Sequence, residues 1–526
     1  MKIKMKKSPA IALLIAVALW SCGPSADRSE EESASEADST KYDQNMFGHH
    51  IPRGVQTSKG DLMDGYAFYS VPNSTSVYLV NRDGLVVHEW KGNTEIMSPY
   101  LMDDGSIVTN AYDLDFPTFG GGGNMGRIQH ISWDSQMLWD FEYAEKDYLQ
   151  HHDIAVMPNG NILAIAWELR SKEDALELGR DPEYLPNGGL WPDKIIEIKP
   201  LNDDRGEIVW EWHSWDHVIQ DRDPSLRNYG DPAEHPELLD INASAQKPDS
   251  ISADSLAILI NMGRMWPNAS IDNRGSDIYH FNAINYNAEL DQIAVSSPEL
   301  SEVFIIDHST TTEEAAGHTG GRWGKGGDFL YRWGNPENYH HGDSTDRKLF
   351  YQHDVRWVPE GYPGAGHLTI YNNDIPSNRK DSLHYSAIYE IDPIIEDGNY
   401  VRLDNGRFAP EDPPWVYVAP DTVSFYGGFI SGSHRLPNGN TFINEGPRGR
   451  FMEVTPDGEL VWEYLNPFRG NVHNPNMWEP PMFYSTFRAT FIPADHPGLQ
   501  GKDLEPLDPQ PEPFVMPPPP ENDEES

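Results

Sequence analysis

Short apolar runs of strand character, joined by tight turns, recur along most of the chain. The units HHDIAVMPNGNILAIA, YQHDVRWVPEGYPGAGHLTIYNND and SHRLPNGNTFIN begin at His151, Tyr351 and Ser433. A longer variant, HFNAINYNAELDQIAVSS, begins at His280, and a copy without histidine, YLMDDGSIVTN, begins at Tyr100. Asn-Gly and Asp-Gly supply the positive backbone angles of tight turns between β-rich flanks. Each unit therefore predicts a β-hairpin.

A second repeated motif, a turn followed by a strand centred on tryptophan, indicates the number of repeats. It occurs six times, at 82–90, 134–143, 203–212, 326–334, 411–418 and 456–464. Long repeats that contain several short strands are typical of β-propellers. The pattern predicts an all-β, six-bladed β-propeller over residues 61–495, with the tryptophans packed between blades.

Two segments depart from the repeat. The alternating segment MFYSTFRATFIP at 482–493 lies beyond the last tryptophan strand. We expect it to complete the first blade and close the ring, which removes a free sheet edge. The segment 213–279 is an insertion with a short helical pattern near Asp254–Met262. Long insertions are usually functional, so we expect this one to cover the channel mouth beside the histidines.

Composition indicates a large core with poorly structured ends. The chain has 526 residues, 38% of them hydrophobic, and a formal net charge of -44. This charge excludes nucleic acid and anionic lipid surfaces as partners. The acidic, Ser-rich segment 22–60 predicts a flexible tether, and the Pro- and acid-rich segment 496–526 a disordered tail. No feature of the sequence sets the oligomeric state.

The first 22 residues have the pattern of a lipoprotein signal. Four lysines precede an apolar run from Ala10 to Trp20, and residues 1–21 are expected to be a removed signal peptide. Leu19-Trp20-Ser21-Cys22 resembles a bacterial lipobox, and Cys22 is the only cysteine. We expect lipidation at Cys22, a membrane contact through that anchor alone, and an exported lipoprotein of a Gram-negative cell envelope. It would lie on the periplasmic side or on the outer-membrane surface.

A Cys22→Ala variant tests this expectation, because the thiol is the site of lipid attachment. The variant should accumulate as an unprocessed precursor that does not partition into detergent with the lipidated protein. Mass spectrometry of the N-terminus and detergent phase partition measure both properties. Normal processing and membrane partition of the variant would contradict the assignment.

One histidine stands at a similar place in four of the predicted hairpins, and equivalent blades would bring the four together at the axis. They are His152, His280, His353 and His434. Imidazole is largely unprotonated near neutral pH and is an effective nucleophile, but it is also a common metal ligand. The acids that follow directly, Asp153 and Asp354, are expected to cap blade backbone, because neighbours in a strand point to opposite faces. His151, His340 and His341 are interpreted as rim or solvent residues.

The chain resembles the bacterial arylsulfate sulfotransferases, a PAPS-independent family that moves a sulfuryl group between phenols. The resemblance rests on HHDIAVMPNGNIL, YHFNAINYNAELDQIAVSS, WGNPENY followed by QHDV and YNND, the last PNGN hairpin, and the closing FRAT strand. It implies a six-bladed propeller with an axial active site. On motif position, it implies His353 as a transiently sulfated nucleophile, with His152, His280 and Asn282 holding the sulfuryl group.

The sequence departs from the family at one position. Family members carry an arginine after the paired serines, whereas Pro298 follows Ser296-Ser297 here. A guanidinium suits the negative charge that develops in sulfuryl transfer. Positive charge must then come from imidazolium or another arginine, and Arg379 and Arg448 are candidates. With His434 they form the expected substrate-binding set.

These inferences predict a transferase that acts on an aryl sulfate donor and a phenol acceptor through a sulfo-histidine, without metal or cofactor. Two alternatives stay open. Four converging histidines would also suit a metal-binding propeller enzyme, and a surface propeller can bind a ligand or protein without chemistry. Metal analysis of the purified protein distinguishes the metal-binding enzyme from the other two possibilities. A turnover assay with p-nitrophenyl sulfate and phenol distinguishes the sulfotransferase from a propeller that only binds.

Overall fold

The computed structural model describes residues 52–113, 118–202, 204–248, 252–261, 269–377, 383–470 and 484–515. The chain divides into two compact units, Met1–Tyr42 and Asp43–Ser526, and all described residues belong to the second. The predicted signal peptide, Cys22 and Arg379 lie outside the described residues. Among the described residues, no helix combines the length and apolar character that a membrane crossing requires.

The second unit is a six-bladed β-propeller, as the repeats predicted. Each blade is an antiparallel sheet, and its strands follow one another across the sheet in this order. Blade 1 contains Ala489–Pro493, Gly65–Ser70, Ser76–Val80 and Val86–Lys91; blade 2 contains Ile96–Leu101, Ile107–Tyr112, Gly126–Ile131 and Met137–Glu142; blade 3 contains Tyr148–Val156, Ile162–Glu168, Asp193–Pro200 and Gly206–His213. Blade 4 contains Ala283–Asn287, Gln292–Ser297, Glu302–Asp307 and Tyr331–Trp333; blade 5 contains His353–Trp357, Leu368–Pro376, His384–Ile391 and Trp415–Tyr417; blade 6 contains Gly432–Arg435, Thr441–Glu445, Arg450–Val454, Leu460–Leu465 and Gly54–Ser58.

The remaining elements are short connections. Two small sheets pair Val218–Ile219 with Leu239–Asp240 and Ile395–Glu396 with Asn399–Tyr400. The α-helices α1, α2 and α3 are Lys172–Glu177, Ala253–Asn261 and Thr312–Ala315. The 3-10 helices are Pro182–Tyr184, Ser214–His217, Ile271–Asn273, Pro336–Tyr339, Gly446–Arg448 and Pro497–Leu499.

The tryptophan of each repeat fastens its blade to the next one. Its indole N–H donates to a backbone carbonyl of the following blade, over 2.7 to 3.2 Å. A buried indole needs such an acceptor, and its ring supplies a large apolar area. The sixth bond joins blade 6 to blade 1, so the six bonds run around the whole ring. The pairs are Trp90 with Gly105, Trp139 with Arg205, Trp212 with Gly327, Trp333 with Pro410, Trp415 with Pro456, and Trp462 with Arg82.

Both ends of the propeller extend beyond the predicted boundaries. Gly54–Ser58 lies in the expected tether, yet it pairs with the outer strand of blade 6, from Gly54 opposite Leu465 to Ser58 opposite Trp462. This pairing provides partners for backbone N–H and C=O groups on the outer strand of blade 6, which would otherwise be an open edge. In the expected disordered tail, Leu507 and Gln510 hydrogen-bond to the backbone of Val86. Ordered chain therefore begins before residue 60 and continues past residue 495.

The C-terminal strand lies in the first blade. Ala489–Pro493 pairs antiparallel with Gly65–Ser70, with Gly65 opposite Pro493 and Tyr69 opposite Ala489. Its preceding residues Phe487 and Arg488 are buried near the centre of the ring. A segment far from the histidines in sequence thus contributes directly to the axis.

Candidate active site

A cavity of about 370 Å³ is lined by residues of blades 1 to 5 and of the loop that leads into blade 6. Three of the four candidate histidines reach it: His152, His280 and His353. His152 and His280 have φ angles of +51° and +53°. Such angles are unfavourable for residues with a side chain and concentrate at functional sites. The backbone is therefore distorted at the two positions that bring these rings together, with their centroids 4.4 Å apart.

His353 is held with one ring nitrogen free for chemistry. Its Nδ1 lies 3.0 Å from both the carbonyl oxygen of Tyr351 and Oδ1 of Asn373. The amide of Asn373 donates from Nδ2 to two backbone carbonyls, which fixes Oδ1 as the acceptor. Nδ1 of His353 therefore carries the proton, and Nε2 keeps its lone pair. Burial, together with the nearby His280, lowers the pKa of His353 to about 3, so the ring is neutral at physiological pH.

His152 belongs to a buried chain of three groups. Its Nδ1 lies 2.8 Å from Nδ1 of His151, and Nε2 of His151 lies 2.9 Å from Oδ1 of Asp193. Burial lowers the pKa of both histidines well below the usual value, and the pKa of Asp193 is raised well above its usual range by burial and by Asp277. One of the two Nδ1 atoms must donate to the other at this distance. When His151 is the donor, neutral His152 carries its proton on Nε2.

The rim position predicted for His151 is wrong. The side chain is fully buried and stacks on Trp167, with ring centroids 4.0 Å apart. Neighbouring residues of a regular strand would point to opposite faces. The positive φ of His152 interrupts this alternation, and both histidine side chains are buried. His340, by contrast, is exposed as predicted.

His280 provides the positive charge at the cavity. Its Nδ1 contacts Oδ2 of Asp277. Burial lowers the pKa of His280, but the charges of Asp277 and Glu299 outweigh burial and raise the pKa to about 9. His280 is therefore an imidazolium at neutral pH. Asp277 belongs to the insertion 213–279, which thus reaches the histidines; coverage of the channel mouth stays a prediction.

Much of the remaining cavity wall is apolar. It contains the side chains of Ile96, Met97, Met125, Phe429, Ile430 and Phe487. Pro298, at the position of the family's arginine, also lines the cavity. The wall therefore suits an aromatic ring, and Pro298 adds apolar surface where a guanidinium was expected.

A run of glycines allows the histidines to pack closely against backbone. Gly122 and Gly123, the last two residues of the run Gly120–Gly123, line the cavity, and Gly123 has a φ of +76°. A Cβ at Gly123 would lie 2.3 Å from Nε2 of His152, and one at Gly122 would lie 4.0 Å from Cε1 of His280. Only glycine fits at position 123. In the sequence, the run of four glycines is the signal that points to such close packing.

His434 does not join the other three histidines. Its Nε2 accepts a hydrogen bond of 3.1 Å from the backbone N–H of Phe491, away from the cavity lining. The reason is register: His434 lies four residues before the turn residue Asn438, whereas His152 lies seven before Asn159. Convergence of four histidines is therefore wrong, and His434 supports the C-terminal strand.

Asn282 and Arg448 also lie behind the cavity wall. Asn282 is fully buried, and its Nδ2 donates over 2.8 Å to the carbonyl of Gln352, the residue before His353. Arg448 is buried in an ion pair with Glu445, at 2.7 Å. The contacts of Asn282 fit a positioning role for the His353 strand, and those of Arg448 fit a structural role in blade 6.

The buried arginine at the axis is Arg488, in the FRAT segment. Its Nη1 pairs with Asp153, its Nε lies 3.0 Å from Oδ1 of Asp354, and its Nη2 donates to the carbonyl of Asn282. Asp153 and Asp354 also accept the backbone N–H groups of Ile284 and Ser433 in the following blades, so they cap blade backbone as predicted. One guanidinium thus joins the segments that carry His152, His280 and His353.

Together the fold and the cavity define a six-bladed propeller with a histidine-lined axial site. The family model Arylsulfotransferase (ASST) matches residues 125–461, and the chain belongs to this family. The family implies a sulfotransferase that acts on small aromatic substrates.

Other comparisons found distant likenesses. No curated protein matches the sequence. Solved structures with similar folds include a protein of unknown function from Bacteroides caccae, with 12% identity, a TM-score of 0.40, and coverage of 82% of this chain and 99% of that one. A streptogramin B lyase has 12% identity, a TM-score of 0.34, and coverage of 81% and 85%. A hydrazine synthase from Kuenenia stuttgartiensis has 9% identity, a TM-score of 0.33, and coverage of 76% and 78%.

Proposed function

We propose that the protein transfers a sulfuryl group from an aryl sulfate to a phenol through a sulfo-His353 intermediate. The observation that carries the proposal is the fixed tautomer of His353, because hydrogen bonds at Nδ1 leave the lone pair of Nε2 for attack. Its low pKa keeps that lone pair available across the physiological range. A neutral, positioned imidazole is a competent nucleophile.

In the first half-reaction, Nε2 of His353 attacks sulfur while the bond between sulfur and the aryl oxygen breaks. The departing phenolate takes a proton from the imidazolium of His280, whose pKa near 9 is close to that of a phenol. Nε2–H of His152 donates to a sulfuryl oxygen, where negative charge develops. The apolar wall with Phe429 and Phe487 receives the aromatic ring.

In the second half-reaction, the acceptor phenol occupies the place of the first product. His280, now neutral, removes the phenol proton as the oxygen attacks sulfur and the bond between nitrogen and sulfur breaks. Both partners regain their starting protonation states. The mechanism is therefore ping-pong, and one imidazole serves as acid and then as base.

The imidazolium of His280 takes the role of the arginine that Pro298 replaces in this chain. His280 lines the cavity as an imidazolium, while Arg488 is not among the lining residues and is paired with Asp153 and Asp354. Since one imidazolium replaces a bidentate guanidinium, we propose that the enzyme favours donors with good leaving groups, such as nitrophenyl sulfates. A four-histidine metal site receives no support, because His434 lies apart from the cavity.

The direct experiment is mass spectrometry of the intact protein after incubation with p-nitrophenyl sulfate and no acceptor. The expected mass increases by one sulfuryl group, and peptide mapping places it on His353. Addition of phenol should remove the label and release phenyl sulfate. A protein that turns over the donor without ever becoming labelled would exclude the covalent mechanism.

The pH dependence of donor cleavage tests the role of His280. Its pKa is raised to about 9, so the acid form is present below that pH and is lost above it. His353 is neutral throughout because its pKa is lowered to about 3. We expect kcat/KM with p-nitrophenyl sulfate to be flat from about pH 5 to 8 and to fall as pH rises through 9.

A His280→Gln variant should lose that alkaline limb and react about a hundredfold more slowly, the usual scale for losing a general acid. His340→Gln, which replaces an exposed histidine, is the matched control and should keep both rate and profile. An alkaline limb that persists in His280→Gln would assign the titration to another group.

A further inference from the structure

A second group of histidine and acid side chains lies outside the axial cavity, in blade 4 and the start of the insertion. His217, His318 and Asp328 place one ligand atom each within 4.8 Å of one another. Within the part of the chain that the structure describes, this is the one group of three such residues with that spacing. His217 is fully buried and Asp328 is nearly so, while the side chain of His318 is 60% exposed.

Both imidazoles direct the same nitrogen at the same oxygen. Nδ1 of His217 and Nδ1 of His318 each lie 2.8 Å from Oδ1 of Asp328. Nε2 of His217 lies 2.8 Å from the carbonyl oxygen of Ala315, to which it donates. Both imidazoles therefore converge on one carboxylate oxygen, an arrangement that a shared metal ion or protonation of the rings would satisfy.

The surroundings hold His217 in this orientation. A Cβ at Gly327 would lie 2.6 Å from Nε2 of His217 and 2.0 Å from the carbonyl oxygen of Ala315, so only glycine fits beside the ring. The ring stacks parallel to Trp212, at 5.5 Å and 3°. The indole of Trp212 donates over 2.7 Å to the carbonyl of Gly327, which keeps the loop in place.

We propose that His217, His318 and Asp328 bind one divalent cation of borderline softness, such as Zn²⁺. Two imidazole nitrogens and one carboxylate oxygen are a common ligand set for such metals. Ligand atoms at about 2.1 Å from a tetrahedral metal are about 3.4 Å apart, so a small outward movement of the imidazoles from their 2.8 Å contacts with Asp328 would admit the ion. The hydrogen bond from His217 to Ala315 is the outer contact that a metal-bound histidine usually makes.

The cation would join two parts of the chain. His217 lies at the start of the insertion 213–279, whereas His318 and Asp328 belong to the glycine-rich loop between the last two strands of blade 4. Because the exposed His318 leaves room for water, the site holds the loop against the insertion without taking part in sulfuryl transfer. The site is independent of the proposed function.

Isothermal titration of chelator-treated protein with Zn²⁺ tests the site. Wild type should bind one equivalent more tightly than the weak sites of its acidic surface. His318→Ala should lower the affinity of that equivalent about a hundredfold or more, since a ligand is lost and loss of an outer contact alone costs roughly 10–100-fold. The control His235→Ala removes a half-exposed histidine that faces Glu237 in the insertion, and it should bind as wild type does.

A His318→Cys variant separates a metal from a plain ion pair between histidine and aspartate. A thiolate is a zinc ligand but cannot form an imidazolium. The cysteine variant should therefore bind one Zn²⁺ tightly, as wild type does and His318→Ala does not, and its Tm should rise when Zn²⁺ is added. Because His318 is exposed, these variants should fold. Equal Zn²⁺ binding by wild type and His318→Ala, or the same low affinity in all variants, would overturn the proposal.

Discussion

His353→Ala should form no sulfuryl adduct and should cleave p-nitrophenyl sulfate more slowly by a factor on the order of 10⁶, as when the covalent nucleophile of a hydrolase is removed. The reason is that Nε2 of His353 is the unprotonated nitrogen, fixed by Tyr351 and Asn373 at the cavity. Intact mass measures the adduct, and stopped assays of nitrophenol release measure the rate.

His434→Gln is the informative comparison for this variant. His434 stands at a similar place in a hairpin but binds the backbone of Phe491, so the glutamine variant should still acquire the sulfuryl label. Wild-type turnover by His353→Ala, or a label that maps to His434, would contradict the assigned nucleophile.

Arg488→Met should lower the free energy of unfolding by about 3–5 kcal/mol, because it leaves buried Asp153 without its ion-pair partner and leaves Asp354 with Arg356 alone. Asp153 and Asp354 are both almost fully buried and both pair with Arg488. These acids follow His152 and His353 directly, so the variant should also slow adduct formation. Urea unfolding gives the free energy, and a rapid-quench labelling experiment gives the rate.

The control is Arg322→Met, which removes the same charge from a more accessible side chain, outside the axial ion pairs. It should change the free energy of unfolding by about 0.5 kcal/mol or less. If Arg488→Met were no more destabilising than Arg322→Met, the axial ion pairs would not be what holds the blades together.

Local patterns in the sequence were enough to determine the fold class and the blade count. Turn dipeptides, alternating apolar positions and the repeated tryptophan act within one blade or between neighbours, so each copy carries its own signal. Trp462 shows this well: its strand was recognised by its own residues, and its indole bonds to Arg82 across the ring. The signal for His434 was also present, since its distance from the turn differs from that of His152.

The chemistry of the site depends on contacts between residues that are far apart in sequence. Asp193 orients His151, Arg488 joins Asp153 to Asp354, and Asn373 fixes the tautomer of His353. No periodic pattern marks these partners, because each lies in a different strand or blade and meets its histidine only when the ring has formed. The sequence alone predicted that histidines approach an axis. The tertiary structure decided that three of the four line the cavity, and burial and neighbouring charge, which arise only on folding, set the pKa of each.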